Sequence, residues 1–320
     1  MVKANPFTDH KKVIQLQNRI IDEIFFAFGM SRSGWARKLF GPMFLWPARH
    51  FAFIVAKYQA MVPEIGFGLT ARKALPEFNA HVNVTGLELV PKIGPLIIAS
   101  NHVGGVDTLA VASCFPRKDM KIMVSDIGFL RTMSVAEDYF ILVPTDPSGR
   151  MIALQEAISH LQGGGSVLVF AHGEVEPDPE LMPCASESIE EWSPSLEIML
   201  RKVPLAQLQI SIVSGLIQPA FMRNPIIRLR RPLFARQKLA EFIQIMQQMV
   251  FPKSVHSEVH ISLSKPLSQS DFVGERIMPA IIRAGQSLLA EHIERFKIKG
   301  YWVKTINGKG EAERSLPVGS

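Results

Sequence analysis

The spacing of apolar residues changes character near residue 80. Before about residue 75, apolar side chains recur at helical spacing: Ile14, Ile20, Ile21, Ile24, Phe25 and Phe28. This spacing predicts a helix that stops near Gly29 and a second helix from about Trp46 to Met61, which ends before Pro63.

Beyond residue 80 the apolar residues stand in short continuous runs. The predicted strands are His81–Gly86, Leu96–Ser100, Lys121–Val124, Phe140–Val143, Ser166–Phe170, Gln209–Val213 and Val259–Leu263. The predicted helices among them are Thr108–Phe115, Met151–Leu161, Leu239–Met249 and Pro279–Phe296. Apolar strands without alternation, separated by helices, are typical of an α/β fold with a mostly parallel buried sheet flanked by helices. Active sites in such folds lie outside the carboxyl ends of the strands.

The net charge of +6 is concentrated at the start of the chain. Residues 1–60 contain nine basic and three acidic side chains, so the remaining residues are formally neutral. Bulky apolar runs, Ile24–Phe28 and Phe40–Trp46, lie between these charges. This mixture favours an anionic membrane surface over nucleic acid as the partner. The alternative is that the same residues form core helices that cap the domain.

The composition and the apolar runs also limit the location of the protein. Two cysteines, Cys114 and Cys184, show no metal-ligand spacing and favour a reducing compartment. The longest uncharged run, residues 203–222, contains prolines and glutamines and therefore indicates a buried strand with its flanks, not a membrane-spanning helix. We expect a peripheral or monotopic protein on the cytoplasmic face of a membrane.

The chemistry is most visible where the Leu96–Ser100 strand ends. His102 follows that strand, and Asp107 comes five residues later, across the Gly104-Gly105 bend. A neutral histidine can take a proton from an attacking hydroxyl near pH 7, and a carboxylate on its other ring nitrogen fixes the tautomer. By spacing alone, a structural or capping role for the same pair stays open.

The residues around this pair resemble a known family. The segment 94–107, with Asn101, His102 and Asp107, is similar to the N-H-x4-D block of the glycerolipid acyltransferases, the family of 1-acylglycerol-3-phosphate acyltransferase. Val84-Thr85-Gly86-Leu87-Glu88 before it, and the order of later blocks over about residues 80–220, are also similar. The resemblance implies a glycerol-3-phosphate acyltransferase-like fold. It also implies that His102 is the base, that Asp107 is its partner, that Asn101 helps bind substrate and that no acyl-enzyme forms.

The third block of the family corresponds to Phe170–Glu176. The common form is F-P-E-G-T-R-S, whereas this chain keeps Phe170 and Gly173 and is closer to the F-P-A-G-E-V-S of a haemolysin-like or ornithine-lipid acyltransferase branch. The resemblance implies that Gly173 and Glu174 bind substrate. A turn through Gly173 would bring Glu174 to the sheet edge of His102, where it could bind an acceptor hydroxyl or orient the imidazole. A solvated loop acid is the alternative for Glu174.

The second block departs further from the family. Family members carry an arginine that is proposed to bind the acceptor phosphate, but Thr145 occupies that position here and Arg150 comes five residues later. Arg150 opens the predicted helix, so its guanidinium and the amides of that helix could hold a phosphate. A surface role for Arg150 is equally consistent with the sequence.

The periodicity and composition predict three parts: an N-terminal basic and apolar helical segment (1–75), an α/β domain that the resemblance identifies as the acyltransferase domain (76–303) and a loose tail (304–320). The further implications come from the resemblance. It implies transfer of a fatty acyl group from acyl-CoA or acyl carrier protein to a lysophospholipid, with a lysophosphatidic acid-like acceptor and no cofactor, metal or nucleic acid. One alternative is a degenerate family member that binds lipid without catalysis. A zinc site of His102, Asp107, His172 and Glu174, a serine hydrolase and a dinucleotide fold fit the sequence less well.

Overall fold

The computed structural model describes residues 10–31 and 34–298, so the predicted tail 304–320 lies outside the described residues. The strands are β1 (Ala80–Thr85), β2 (Leu96–Ser100), β3 (Met120–Ser125), β4 (Phe140–Val143), β5 (Ser166–Phe170), β6 (Gln207–Ser214) and β7 (Ser257–Leu263). Helices before β2 are α1 (His10–Ala27), α2 (Trp35–Phe40), α3 (Leu45–Gln59), α4 (Val62–Ile65) and α5 (Phe67–Ala74). The following helices are α6 (Asp107–Ala112), α7 (Gly128–Arg131), α8 (Ala136–Tyr139) and α9 (Pro147–Gln162). The last are α10 (Ala185–Glu190), α11 (Ser195–Lys202), α12 (Pro219–Met222), α13 (Leu233–Val250) and α14 (Ile277–Arg295).

The seven strands form one sheet in the order β1-β7-β6-β2-β5-β3-β4. All neighbouring pairs are parallel except β6 and β7, which are antiparallel. The predicted α/β class with a mostly parallel sheet flanked by helices is therefore confirmed. Each predicted strand is present, and its observed bounds differ from the predicted ones by at most two residues.

Helices bury both faces of the sheet, as the central strand β2 shows. All five of its residues are buried. Leu96 and Ile98 belong to an apolar cluster with α5, α6 and α13, whereas Ile97 and Ala99 belong to a cluster with α9, α11 and α14. Because successive side chains of a strand point to opposite faces, these clusters are the two cores of a three-layer fold. This double burial explains why β2 is apolar without alternation.

The antiparallel strand β7 sends the chain back along the sheet. Ser214 at the end of β6 pairs with His260 near the start of β7, so the segment between the two strands leaves and returns at one edge of the sheet. That edge is also the carboxyl edge of β2, because β2 and β6 are parallel. Helices α12 and α13 therefore lie at the edge where active sites of this fold class form.

The N-terminal helices form a layer with its own small core. Buried side chains of α1, such as Ile20, Ile24 and Phe25, pack against Ala48 and Ala52 of α3. This layer also contacts α13 and α7, which follow strands at the carboxyl edge. The predicted N-terminal helices are present within the described residues, and the core role holds for one face of them, whereas binding to an anionic membrane stays a prediction. One face of the layer is buried, and the corner between α2 and α3 is exposed.

The exposed corner is strongly apolar. Its exposed large side chains are Trp35, Leu39, Phe40, Met43, Leu45 and Trp46. The stretch Trp35–Ile65 is long and apolar enough to cross a membrane by length and composition alone, with 33% of its most apolar window buried. A short 3-10 turn, Gly41–Phe44, interrupts this stretch between α2 and α3. Membrane association is consistent with these features, and a monotopic arrangement stays a prediction.

Candidate functional site

The loop after β2 brings the predicted base and its partner together. The ring nitrogen Nδ1 of His102 lies 2.9 Å from Oδ2 of Asp107, which is fully buried. The same carboxylate oxygen accepts hydrogen bonds from the backbone N–H groups of Val103 (2.7 Å) and Gly104 (3.0 Å). Because three donors converge on one oxygen, Asp107 is fixed in position at the first turn of α6.

This arrangement leaves one imidazole nitrogen for chemistry. Since the Asp107 carboxylate accepts, Nδ1 of His102 carries the proton and Nε2 presents a lone pair. Within residues 10–31 and 34–298, Nε2 makes no hydrogen bond, and 23% of the side chain is exposed. The ring of Phe170 from β5 lies against the imidazole, with 4.3 Å between ring centroids. The geometry is that of a general base at the carboxyl edge of the sheet.

Two opposing influences set the pKa of His102. Burial lowers the pKa of the imidazole, but the charge and hydrogen bond of Asp107 raise it, and Glu241 and Glu176 add smaller attractions. The net result is a pKa above the usual histidine value. A raised pKa makes His102 a stronger proton acceptor once it is neutral.

Glu176 holds the backbone of His102 from the loop after β5. Its Oε2 accepts the His102 N–H at 2.8 Å, and its own N–H donates to the His102 carbonyl at 2.5 Å. The other oxygen, Oε1, accepts from Ser188 Oγ (2.7 Å) and Trp192 Nε1 (3.0 Å). Burial raises the pKa of Glu176, and these donors oppose that rise. Orientation of His102 was one of the roles that the sequence left open for Glu174, and in the structure the acid that bonds to the His102 backbone is Glu176.

A row of buried polar side chains on α13 holds the loops that follow β2 and β5. Gln237, Glu241, Gln244 and Gln248 recur at helical spacing and are all buried. Gln237 Nε2 donates to the carbonyls of Val103 (2.7 Å) and Glu176 (2.8 Å). Gln244 and Gln248 donate to backbone carbonyls of other segments at the same edge. A single helix thereby binds the loops that carry the site.

Glu241 supports the bend between His102 and Asp107. Its Oε1 accepts the Val106 N–H at 3.2 Å, and the Gly105 N–H also bonds to the carboxylate. Burial, with the nearby Asp107, raises the pKa of Glu241 to about 6. A Cβ atom at Gly104 would lie 2.6 Å from the Glu241 carboxylate, so glycine is required there for close approach.

Asn101 has a structural position next to the site. Its side-chain amide exchanges two hydrogen bonds with the backbone of Val213 in β6, at 2.9 Å and 2.8 Å. These bonds tie the end of β2 to β6 and occupy both polar atoms of the amide. The predicted substrate contact of Asn101 stays a prediction, and the geometry favours a role in positioning the next residue, His102.

Gly173 and Glu174 lie in the exposed turn after β5. Gly173 adopts a left-handed backbone conformation, with φ of +84°, and its N–H donates to the Phe170 carbonyl at 3.0 Å. Both residues are exposed at the carboxyl edge. Neighbouring His172 lies 3.3 Å from Glu191 through its Nε2. Substrate binding by Gly173 and Glu174 stays a prediction that this exposure permits.

Thr145 and Arg150 lie at the edge of the sheet, in the loop after β4 and the first turn of α9, and both are exposed. β4 is three strands from β2, which corresponds to roughly 14 Å. Asp146 caps α9, since its carboxylate accepts the Gly149 N–H at 2.7 Å and the Ser148 hydroxyl at 2.6 Å. The structure thus brings together His102, Asp107 and Glu176 but places Thr145 and Arg150 apart from them. A phosphate bound at the first amides of α9 would compete with the Asp146 carboxylate for the Gly149 N–H.

Within the described part of the chain, no group of three or more histidine, cysteine or acidic side chains is arranged to hold a metal ion. The acids near His102 instead bond to backbone and side-chain donors. Of the four residues in the zinc alternative, His102 and Asp107 pair with each other, whereas His172 turns to Glu191.

Comparison with known proteins identifies the central segment. Residues 81–191 match the family model described as Acyltransferase. This matched segment contains His102, Asp107 and Glu176, whereas α13 with Glu241 lies beyond it. The predicted family resemblance is therefore confirmed for the segment that carries the site.

Two further comparisons complete this picture. No curated protein matches the chain. Among solved structures, it is similar to the 1-acyl-sn-glycerophosphate (LPA) acyltransferase PlsC from Thermotoga maritima, with 13% sequence identity and a TM-score of 0.44. The match covers 88% of this chain and 97% of that chain.

Proposed function

We propose that the protein transfers a fatty acyl group from a thioester, acyl-CoA or acyl carrier protein, to the hydroxyl of a lysophospholipid. The observation that carries this proposal is the His102–Asp107 pair, 2.9 Å apart at the carboxyl edge of an acyltransferase-family segment. A lysophosphatidic acid-like acceptor is our first candidate, in line with the family resemblance. The exposed apolar corner of α2 and α3 supports a site of action at a membrane surface.

The proposed mechanism is a direct transfer. The acceptor hydroxyl donates a hydrogen bond to Nε2 of His102, and its proton passes to that nitrogen as the oxygen attacks the thioester carbonyl. Asp107 stabilises the imidazolium that forms. When the tetrahedral intermediate collapses, the carbon–sulfur bond breaks and the thiol takes the proton back from His102. An ester and a free thiol result, and no acyl-enzyme is formed.

Glu176 and Glu241 supply positioning in this mechanism. Both are buried carboxylates that bond to backbone amides of the His102–Asp107 loop. Their negative charge also favours the imidazolium over the neutral ring, as the raised pKa of His102 reflects. In the proposed mechanism they act through His102 and Asp107 and do not touch the reacting atoms.

The test is thiol release from acyl-CoA in the presence of mixed lysolipids. We expect the His102→Ala variant to lose on the order of 10²–10⁴ in rate, because the positioned base is gone. His81→Ala is the matched control, since His81 is an exposed histidine of β1 outside the site. The acylated lipid product, identified by mass spectrometry, reveals which acceptor is used.

The result also separates catalysis from lipid binding alone. If the wild-type protein and His102→Ala release thiol at the same rate, the enzymatic proposal is wrong. A protein that binds lysolipid but releases no thiol would then be the catalytically degenerate family member. Retention of the His102–Asp107 hydrogen bond and of the buried acids around it favours the enzyme.

A further inference from the structure

A second basic segment lies far from the basic N-terminus in sequence. Residues 223–238 contain six basic side chains and no acid: Arg223, Arg228, Arg230, Arg231, Arg236 and Lys238. The neutral average of residues 61–320 conceals this cluster, because acids elsewhere offset it. Between the cations stand apolar residues that the fold leaves exposed, including Leu229 (69%) and Phe234 (51%). We call residues 223–238 the basic connection.

Two cations of the basic connection, Arg228 and Arg231, are available to an outside partner. Arg228 and Arg231 are exposed and make no ion pair with any residue that the structure describes. Exposed apolar side chains rimmed by charged ones, such as Leu229 and Phe234 here, are typical of surfaces that bind a membrane or another partner. Cations at the headgroups and apolar side chains at the acyl boundary are the combination that an anionic bilayer binds.

The basic connection packs against the N-terminal layer, which also carries the apolar corner of α2 and α3. The guanidinium of Arg230 lies against Gly29 at the end of α1, close enough that a Cβ atom there would collide with it. Lys238 Nζ lies 5.4 Å from the ring centroid of Phe26, which is itself on α1. Helix α13, whose first turns belong to the basic connection, packs against both α1 and α3. The basic connection and the N-terminal helices thus pack together on one side of the molecule, although they lie far apart in sequence.

This side is also the side of the candidate site. The basic connection leaves the sheet from the carboxyl end of β6, next to the carboxyl end of β2 where His102 lies. Gln237, within the basic connection, bonds to the carbonyl of Val103 beside His102. A bilayer bound here would therefore face the edge from which a lipid hydroxyl must approach Nε2.

We propose that the basic connection docks on an anionic lipid bilayer and, together with the α2–α3 corner, fixes the carboxyl edge of the sheet toward the membrane. The orienting part of this proposal rests on the proposed function, whereas the docking part does not. Nucleic acid is the other polyanion to consider. The exposed leucine and phenylalanine favour lipid, because apolar side chains gain from entering the acyl boundary.

The test is co-sedimentation of the full chain with vesicles of phosphatidylcholine containing 30% phosphatidylglycerol or none. We expect Arg228→Gln/Arg231→Gln to bind the anionic vesicles roughly tenfold to thirtyfold more weakly than wild type at low salt. The matched control is Lys202→Gln/Lys265→Gln, a pair of exposed lysines at the opposite edge of the sheet. This control should bind like wild type.

A second variant tests the apolar contribution. Leu229→Ser/Phe234→Ser should weaken binding to both kinds of vesicle, and added salt should not abolish the difference from wild type. Both residues are exposed, so circular dichroism melts should match wild type and exclude misfolding as the cause.

Each outcome decides the proposal. Equal binding of anionic vesicles by wild type, the arginine variant and the lysine control would overturn it. Loss of affinity for a short DNA duplex without loss of vesicle binding would overturn it in favour of nucleic acid. Thiol release with a water-soluble short-chain lysolipid should be unchanged in the arginine variant. If wild type releases no thiol but the vesicle results hold, the proposed function fails and the docking surface stands.

Discussion

Two loops at the carboxyl edge of the sheet are built in opposite ways. The loop after β2 is held by Asp107 from within, by Glu176 from the loop after β5 and by Glu241 from α13. The loop after β4 is exposed, and its polar side chains bond to near neighbours, as Asp146 does in capping α9. One loop depends on contacts distant in sequence, and the other is local and self-contained.

This difference indicates where precise geometry is required. Burying three carboxylates near one imidazole is unfavourable unless each is bonded to several donors, and here each one accepts from backbone amides. An exposed, locally capped turn has no such cost and no such rigidity. We therefore expect substitutions in the loop after β2 to lower the rate of acyl transfer, and equivalent substitutions in the loop after β4 to leave that rate nearly unchanged.

The largest expected effect is the difference in rate between two aspartate-to-asparagine variants, one in each loop. Asp107→Asn should lower kcat/KM by about 10²–10⁴, because the amide no longer fixes the tautomer or stabilises the imidazolium. Asp146→Asn should leave the rate nearly unchanged, since asparagine also caps helices. Steady-state thiol release measures both. Similar losses in the two variants would break the contrast between the loops.

A smaller effect concerns the pH dependence. Activity requires neutral His102, so it should fall as the pH drops through the raised pKa of that ring, above the usual histidine value. Facing His102 are Asp107 from α6, Glu176 from the loop after β5 and Glu241 from α13. Glu241→Gln removes one negative charge and should move the acidic limb of kcat/KM to lower pH, because Glu241 helps to raise the pKa of His102.

The control for this shift is Glu258→Gln, an exposed acid of β7.

The pH dependence of the free energy of unfolding tests the ionisation of Glu241 independently of activity. Burial raises the pKa of Glu241 to about 6, so its ionisation weakens the fold as pH rises through that value. Glu241→Gln should therefore destabilise less at pH 8 than at pH 5 in urea unfolding. An acidic limb identical to wild type would show that Glu241 serves only as a structural brace.

The smallest expected effect is at Arg150. If the β4 loop lies outside the acceptor site, Arg150→Ala should change KM by less than about threefold, as for an exposed charge far from the chemistry. The measurement compares a lysolipid that bears a phosphate monoester with a monoacylglycerol. A KM that rises tenfold for the phosphate-bearing acceptor alone would restore the predicted phosphate site and show that both loops serve the substrate.

The sheet was predictable because its strands are buried on both faces. Continuous apolar runs such as Leu96–Ser100 and Ser166–Phe170 have few alternative structures once helices separate them. The order of the strands was not predictable in this way, because pairing between distant segments leaves no periodicity in either one. The reversal of β7 against β6 is such a non-local feature.

The site was only partly predictable, because residues close in sequence reveal their relation by spacing and residues from distant segments do not. His102 and Asp107 are local to one another, so their spacing carries the information, whereas the roles of Glu174 and Glu176 depend on how the turn through Gly173 bends. Glu241 offered a weaker signal. Its stripe with Gln237, Gln244 and Gln248 resembles the solvated face of an amphipathic helix, and only the fold shows that this face is buried.

The antiparallel return of β7 has a consequence for how the protein can vary. The chain departs from the sheet at Ser214 and rejoins it at Ser257 on the same side, so the whole segment between them lies at the carboxyl edge and no strand of the sheet interrupts it. Surface positions of this segment, which include most of the basic connection, can therefore diverge without shifting strand register. Gln237 and Glu241 are the constraint on that divergence, because they hold the loop that carries His102 and Asp107.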